Sequence, residues 1–479
     1  MIDSIPLIIN NKPIKTSRIF DVVNPRTGKP IYQCYGASVE IARSAADAAN
    51  DAFAAWSQTK PGVRRDLMLK AADIYMQRKK ELMGYWLEEV GSDPAFGEII
   101  FSMGYGILKD FAGNTAALEG RAPILGREGQ SGVVYKTPYG VILSIVPWNA
   151  PFPLGLRAIV LPLMAGNTVV LKGSEMAPKS LWGIWDVFRE AGLPDGCLNM
   201  VFHRPEDASE ITTTLISHPA VRKINFTGST NVGSIVAALA GKYLKPVLLE
   251  LGGKASAIIR DDAKIEEAAN QCVLASFLNS GQICMSTERI IVLRRIAPQF
   301  RTALIEAVKR LQSDRPDPSV VLVNAASAVK SKALISNALS LGANVLVGSH
   351  TNSQEEDKEC AASMQPIVLE NVTPQMDIYA TESFGPTVSL YVVDSDDEAV
   401  ALANDTEYGL SAAIFTENLA MGLRVARQLQ SGAVHINSMT VHDEASLPHG
   451  GIKCSGYGRF GGAHGLDEFL STKSVTWMD

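Results

Sequence analysis

The chain has 479 residues, 46% of them hydrophobic and 20% charged, with a formal net charge of -6. That profile belongs to a soluble globular protein with room for a large core, spread over about three domains if each takes roughly 150 residues, and it offers nucleic acid no electrostatic footprint. The six cysteines, Cys34, Cys197, Cys272, Cys284, Cys360 and Cys454, are scattered without a C-x-x-C spacing. They point to neither a zinc site nor a disulfide framework, and predict reduced thiols in a cytoplasmic compartment with no bound metal.

Met1 to Asn10 carry a short apolar stretch with Asp3 and no leading basic cluster, unlike a secretory signal or a transit peptide. Leu7 to Ile9 reads as a strand, and Val39 to Trp56 and Arg64 to Val90 space their apolar residues as helices do. Ala116 to Tyr139, punctuated by Gly120, Pro123, Gly126, Gly129 and Gly132, resembles a hairpin more than a packed helix. After Gly140 strands alternate with helices. Val141 to Val146, Thr168 to Leu171, Cys197 to Phe202, Arg222 to Phe226 and Val247 to Leu251 read as strands. Lys179 to Ala191, Asp207 to Ile216 and Val232 to Leu244 read as the helices between them. Such alternation predicts a parallel sheet with right-handed crossovers. A second series starts with strand Ala255 to Ile259, helix Ala263 to Leu278 and strand Arg289 to Leu293, and Ser474 to Met478 is a last strand. Val141 to Leu171 approaches the length of a membrane span. Pro147, Asn149, Pro151, Pro153 and Arg157 interrupt it, so no span is expected.

Two residues stand out chemically. Glu250 ends an apolar strand beside Gly252 and Gly253, and Cys284 follows Ser280-Gly281-Gln282-Ile283 in a loop. A sulfur that attacks a carbonyl and a carboxylate that activates water suffice for two-step covalent catalysis. The alternatives are a Glu250 paired with a core Lys or Arg and a buried, inert Cys284. Asn149 follows a strand at its carboxyl end, where its amide could steady an oxyanion or merely cap a turn. Lys172 and Glu175 end the next strand, placed either to hold a ribose or to form a solvated pair. Gly228, Ser229 and Gly233 sit at a strand-to-helix corner that suits a pyrophosphate slightly better than it suits an ordinary turn.

Taken in order and spacing, Pro147-Trp148-Asn149, Lys172-x-x-Glu175, Phe226-Thr227-Gly228-Ser229, Glu250-Leu251-Gly252-Gly253-Lys254, Gly281-Gln282-x-Cys284, Glu382-Ser383-Phe384-Gly385-Pro386, Asn437 and Gly450-Gly451-x-Lys453-x-Ser455-Gly456-x-Gly458-Arg459 resemble the NAD(P)-dependent aldehyde dehydrogenase superfamily over nearly the whole chain. The resemblance implies an α/β fold of two Rossmann-like parallel-sheet domains, for cofactor (1–117 and 140–250) and catalysis (251–452). A small β oligomerisation arm (118–139 and 463–479) would build a homodimer or homotetramer. It implies Cys284 as nucleophile, Asn149 with the Cys284 backbone N–H as oxyanion site, and Glu250 as the base for the hydrolytic water. Lys172 and Glu175 would hold the adenosine ribose, Gly228, Ser229 and Gly233 the phosphates, and Glu382 and Phe384 the nicotinamide end, with Trp148 lining the same cleft. Glu175 tilts the cofactor towards NAD, with NADP second.

Gly173, His449 and Phe460 depart from the common pattern and are expected to leave the catalytic set untouched. Arg459-Phe460-Gly461-Gly462, Arg157 and His442-Asp443-Glu444-Ala445 look more like the salicylaldehyde, benzaldehyde and vanillin dehydrogenase branch. That branch implies an aromatic aldehyde as substrate. Arg157 and His442 would then line its pocket, Arg157 hydrogen-bonding a ring substituent or pairing with a neighbouring acid. A catalytically silent protein on this fold and a cofactor-independent thiol esterase are the rival readings.

Overall fold

Strands covered by helices on both faces must be apolar nearly throughout, and Val141–Ile145, Thr168–Lys172, Leu198–Val201, Val221–Thr227 and Val247–Glu250 are. In the computed structural model, which describes residues 4–313, 320–349 and 360–479, they form the parallel centre of an eight-stranded sheet. Antiparallel strands finish its edges, Leu7–Ile9 and Lys12–Ile14 on one side and Gly456–Tyr457 on the other. Met1 to Asp3, the start of the N-terminal stretch discussed above, lie outside the described residues.

Val141–Ile145 is central, and the chain first builds outward to Thr168–Lys172 and Leu198–Val201. It then returns to the opposite flank with Val221–Thr227 and Val247–Glu250. The order therefore reverses between Val141–Ile145 and Val221–Thr227, which opens a crevice at their carboxyl ends. A second sheet of seven strands is centred on Thr287–Leu293, flanked by Ala255–Ile259 and Thr387–Val393, and is parallel except at edge strand Asn344–Val347. Only Leu251, Gly252, Gly253 and Lys254 separate the two sheets in the chain. The carboxyl end of one sheet thus faces the amino end of the other.

Two local expectations need correction. Arg64 to Val90 is not one helix but two, Pro61–Gln77 and Lys79–Val90. At their junction the Arg78 guanidinium bonds Glu81 and, across to helix Pro178–Ala191, Asp186, each at 2.8 Å. The hairpin within Ala116 to Tyr139 shrinks to one bridge between Arg121 and Val134. Strand Gln130–Pro138 pairs instead along its length with Leu470–Met478, because the glycines and proline before it cannot sustain a ladder.

The proline-rich apolar stretch forms helix Pro151–Met164, all 14 residues of which are buried. It packs against helix Pro94–Gly113 at Gly104, where an added Cβ would lie 2.7 Å from the Tyr75 hydroxyl and 2.9 Å from Leu156. No helix among the described residues is long and apolar enough to cross a membrane.

Gly104→Val should wedge these helices apart at a cost of about 1–3 kcal/mol, the usual penalty of overpacking. Gly106, two residues on, faces open space, so Gly106→Ala should stabilise by about 0.5–1 kcal/mol through helix propensity. Urea midpoints moving in opposite directions at constant slope would bear this out.

Candidate active site

Glu250 closes strand Val247–Glu250 and is 1% exposed. A charge so placed needs partners, and three groups reach it. The Arg157 guanidinium ion-pairs with the carboxylate, His449 Nε2 lies 3.2 Å from Oε1, and the Cys284 thiol donates to Oε1 at 3.7 Å. Arg157 comes from the buried helix and lies over the Phe460 ring at 4.0 Å. Its Nη2 donates to Thr227 Oγ1 at 3.4 Å. Asp443 sits 3.7 Å from Arg157 Nη1 and 3.7 Å from His449 Nδ1. The alternative of a core arginine partner for Glu250 is therefore met, and Glu250 also touches Cys284.

The expectation that His449 and Phe460 leave the catalytic set untouched is overturned. His449 touches Glu250 itself, and Phe460 supports the arginine that pairs with it. Strand Gly456–Tyr457 joins the sheet beside Val247–Glu250, and backbone hydrogen bonds of 2.7 and 2.8 Å between His449 and Phe460 close the loop before it. The departure of both residues from an otherwise familiar motif was the available signal.

Cys284 is held by an unusual loop. Asn279, Ser280 and Gly281 take successive left-handed conformations, with φ of 49°, 60° and 72°, a strain that persists only where surroundings fix it. Ser92 Oγ bonds Asn279 Oδ1 at 2.5 Å, Gln282 Nε2 donates to the Asn279 carbonyl at 3.1 Å, and Val323 N–H donates to Gln282 Oε1 at 2.8 Å. Asn149 Nδ2 donates to the Gln282 carbonyl at 3.0 Å, which leaves the second hydrogen of that nitrogen for a ligand. Gly253 is required because any Cβ would collide with the Cys284 carbonyl oxygen. The bracing by Ser92, Asn279 and Gln282 was missed in sequence, since each partner lies on a distant element or offers only a common loop amide.

Burial pushes the Cys284 thiol up to about 12, with Arg157 pulling the other way. Arg157 is lowered to about 10 by its own burial, against the pull of Asp443. His449 is held below the ordinary imidazole range by burial, opposed by Asp443 and aided by Arg157 and Arg459.

Two cavities meet at the Arg157–Glu250 pair. A cleft of about 450 Å³ occupies the crevice between the sheets, and Trp148, Asn149, Glu250 and Cys284 stand on its walls. Glu175, Gly228, Ser229, Glu382 and Phe384 complete it. Ser229 caps helix Thr230–Lys242, so an anion there would meet a helix N-terminus and the bare backbone of Gly228, features that fit a dinucleotide. Trp148 and Phe384 pack edge to face at 5.9 Å. Glu382 accepts from Gly253 N–H at 3.0 Å and is raised to about 7 by burial and then by Glu288. A buried Lys254–Glu288 ion pair fixes this segment, with Ser383 N–H donating to Glu288 at 2.9 Å. Lys172, lowered to about 8 by burial, and Gly233, whose Cβ would strike Leu251, lie behind the wall.

The second cavity, about 570 Å³, has Ile99, Met103, Phe111, Phe460, Arg157 and Asp443 among its lining. His442 lines neither cavity; it pairs with Glu444 at 3.4 Å and packs on His435.

A thiol, a buried carboxylate and a crevice at one junction call for comparison with known proteins. The sequence pattern of the Aldehyde dehydrogenase family matches residues 13–475. The chain belongs to that family. Among characterised aldehyde dehydrogenases it is 39% identical over 478 residues to a vanillin dehydrogenase of Pseudomonas sp. (strain HR199 / DSM 7063), covering 98% of this chain and 97% of the other. A crystal structure of a salicylaldehyde dehydrogenase from Pseudomonas putida G7 complexed with salicylaldehyde superposes with a TM-score of 0.95 at 37% identity, over 99% of this chain and 98% of that one. A betaine aldehyde dehydrogenase from Staphylococcus aureus in complex with NAD+ gives 0.94 at 28% identity, over 99% and 95%.

Because only the thiolate reacts, alkylation of Cys284 by iodoacetamide in the cofactor-free aldehyde dehydrogenase should be slow at pH 7 and rise about tenfold per pH unit up to pH 10, as expected below a thiol pKa. Arg157→Met should slow it further at every pH. A rate flat in pH, followed by mass spectrometry of the Cys284 peptide, would contradict the electrostatics described here.

Proposed function

We propose that this enzyme oxidises an aromatic aldehyde to the carboxylic acid with NAD, through covalent intermediates on Cys284. The observation that carries the reading is the Cys284–Glu250 contact at the junction of the two cavities. The sulfur adds to the carbonyl carbon as the thiol proton passes to Glu250, giving a thiohemiacetal whose oxyanion lies within reach of Asn149 and the Cys284 backbone N–H. NAD bound in the crevice supplies the hydride acceptor. Cys284 then carries a thioester, and Glu250 takes a proton from the water that cleaves it. Glu250 gives up the thiol proton before it takes one from the water, and Arg157 stays paired with its carboxylate throughout.

The aromatic preference rests on the substrates in the names of the relatives and on the second cavity. Its apolar side chains would clasp a ring while Arg157, whose Nη1 makes no hydrogen bond, donates to a ring oxygen. Glu175 at the cleft favours NAD over NADP by repelling a 2'-phosphate. We assign the cofactor part to 1–117 and 140–250, which carry the first sheet apart from its edge strand Gly456–Tyr457, and the catalytic part to 251–452, which carry the second. The ribbon of Gln130–Pro138 and Leu470–Met478 exposes Tyr135, Val475, Trp477 and Met478, a surface suited to joining copies into a homodimer or homotetramer in the cytoplasm.

A panel of aromatic, aliphatic and semialdehyde substrates with NAD and NADP in turn tests the substrate and cofactor. Faster turnover of aromatic members with NAD is expected, and equal turnover across the panel would remove the aromatic preference. Arg157→Met should raise KM for hydroxylated benzaldehydes most. Glu250→Gln should slow deacylation by about 100-fold, in the range of general base catalysis, and leave an acyl adduct on Cys284 visible by mass spectrometry. No adduct under those conditions would sink the covalent route.

A further inference from the structure

Each turnover sets protons free beside a buried carboxylate. Cys284 loses one when it attacks, the water loses another when the thioester is cleaved, and the acceptor, Glu250, is 1% exposed. Unless Glu250 gives its proton up it cannot serve again. One side of its carboxylate is taken by Arg157, whose guanidinium accepts no proton. The other oxygen, Oε1, faces Cys284 at 3.7 Å and His449 Nε2 at 3.2 Å. Beyond His449, Nδ1 faces Asp443 Oδ1 at 3.7 Å, and Asp443 lines the second cavity, its side chain 14% exposed.

We propose that His449 and Asp443 form the route by which protons taken up by Glu250 leave the buried site for the second cavity. The inference rests on the reading of Glu250 as the base. Asp443 on the Nδ1 side favours the Nδ1–H tautomer and leaves the Nε2 lone pair towards Glu250, the arrangement by which a carboxylate orients a working imidazole. The carboxylic acid of Glu250 hands its proton to Nε2, forming an imidazolium opposite the Asp443 carboxylate. The Nδ1 proton then passes to Asp443 and on to solvent in the cavity, and the ring turns about its Cβ–Cγ bond to bring Nε2–H to that solvent, where it exchanges back to its starting tautomer before turning back towards Glu250. Protons are conserved, no bond to carbon or sulfur changes, and Glu250 ends ionised beside Arg157.

The charged and titratable groups around the imidazole fit this use. Glu250 faces it from strand Val247–Glu250 and Asp443 from the preceding loop. Arg157 and Arg459 act on it as like charges from the buried helix and the glycine-rich segment, while His435 feels it from strand Ala433–Ile436. Burial first, and then the two arginines, favour the neutral ring between transfers, while Asp443 eases its brief charging.

Stopped-flow records of NADH absorbance and of a pH-indicator dye, taken together in weak buffer with benzaldehyde and NAD on intact enzyme, test the route. In the unsubstituted enzyme both signals should rise together. In His449→Phe and in Asp443→Asn the dye signal should lag NADH and kcat fall about tenfold with KM within about twofold, the scale of losing a group that acts through another. Added imidazole should restore most of the rate in His449→Ala, where the lost ring leaves space. Coincident signals with unchanged kcat in both His449→Phe and Asp443→Asn, or no rescue of His449→Ala, would overturn the proposal. Glu250→Gln run alongside separates the two ideas. Normal deacylation in that variant removes Glu250 as base, whereas blocked deacylation with unaffected His449 and Asp443 variants removes only the exit route.

Discussion

A carboxylate and a guanidinium buried against each other at the end of a strand are the constraint around which this enzyme is organised. Removing one partner of such a pair leaves an uncompensated charge and costs about 3–5 kcal/mol, so everything that positions Arg157 and Glu250 is bound to their union. The apolar helix Pro151–Met164 delivers the arginine, Phe460 lies beneath it, and Gly456–Tyr457 seals the sheet edge beside the glutamate. The pair also stands between the two cavities, where the proposed cofactor and substrate would meet. Stability and chemistry therefore draw on the same contact.

Much of the frame was legible because the signals are local. Alternating apolar strands and helices announce a parallel sheet, and Glu250 and Cys284 near glycines and Asn149 among prolines stand out as candidates by residue type and place. What escaped is what depends on distant encounters. His449 meets Glu250 across 199 residues, through a two-residue strand too short to carry a pattern. Gln130–Pro138 finds its partner at the far end of the chain and not in its own neighbourhood. Arg78 breaks a helix to reach Asp186, 108 residues on. The glycines at 252 and 253 lay in between: their presence was plain, but their reason, room for Glu382 and for the Cys284 carbonyl, needed three dimensions.

The polar side chains around Cys284 divide the labour. Asn149 and Gln282 hold the loop in a strained shape, while Arg157 biases the thiol towards its charged form against the effect of burial. Lys254 and Glu288, a matched pair beneath Glu382, do for the cofactor side what Arg157 and Asp443 do for the other. Each side of the junction is thus braced by a buried pair of opposite charge, the usual way a protein keeps a reactive constellation rigid.

The four residues that join the sheets span roughly 13–14 Å even when fully extended. A tether that short, together with the return of the chain from Ala433–Ile436 to Gly456–Tyr457, keeps the facing strand ends close. Under the proposed assignment traffic uses two separate doors, one through each cavity, and whatever leaves by one need not wait for the occupant of the other. A bulky molecule lodged in the aromatic-lined doorway would then stall the acid product while dinucleotide continued to exchange behind it.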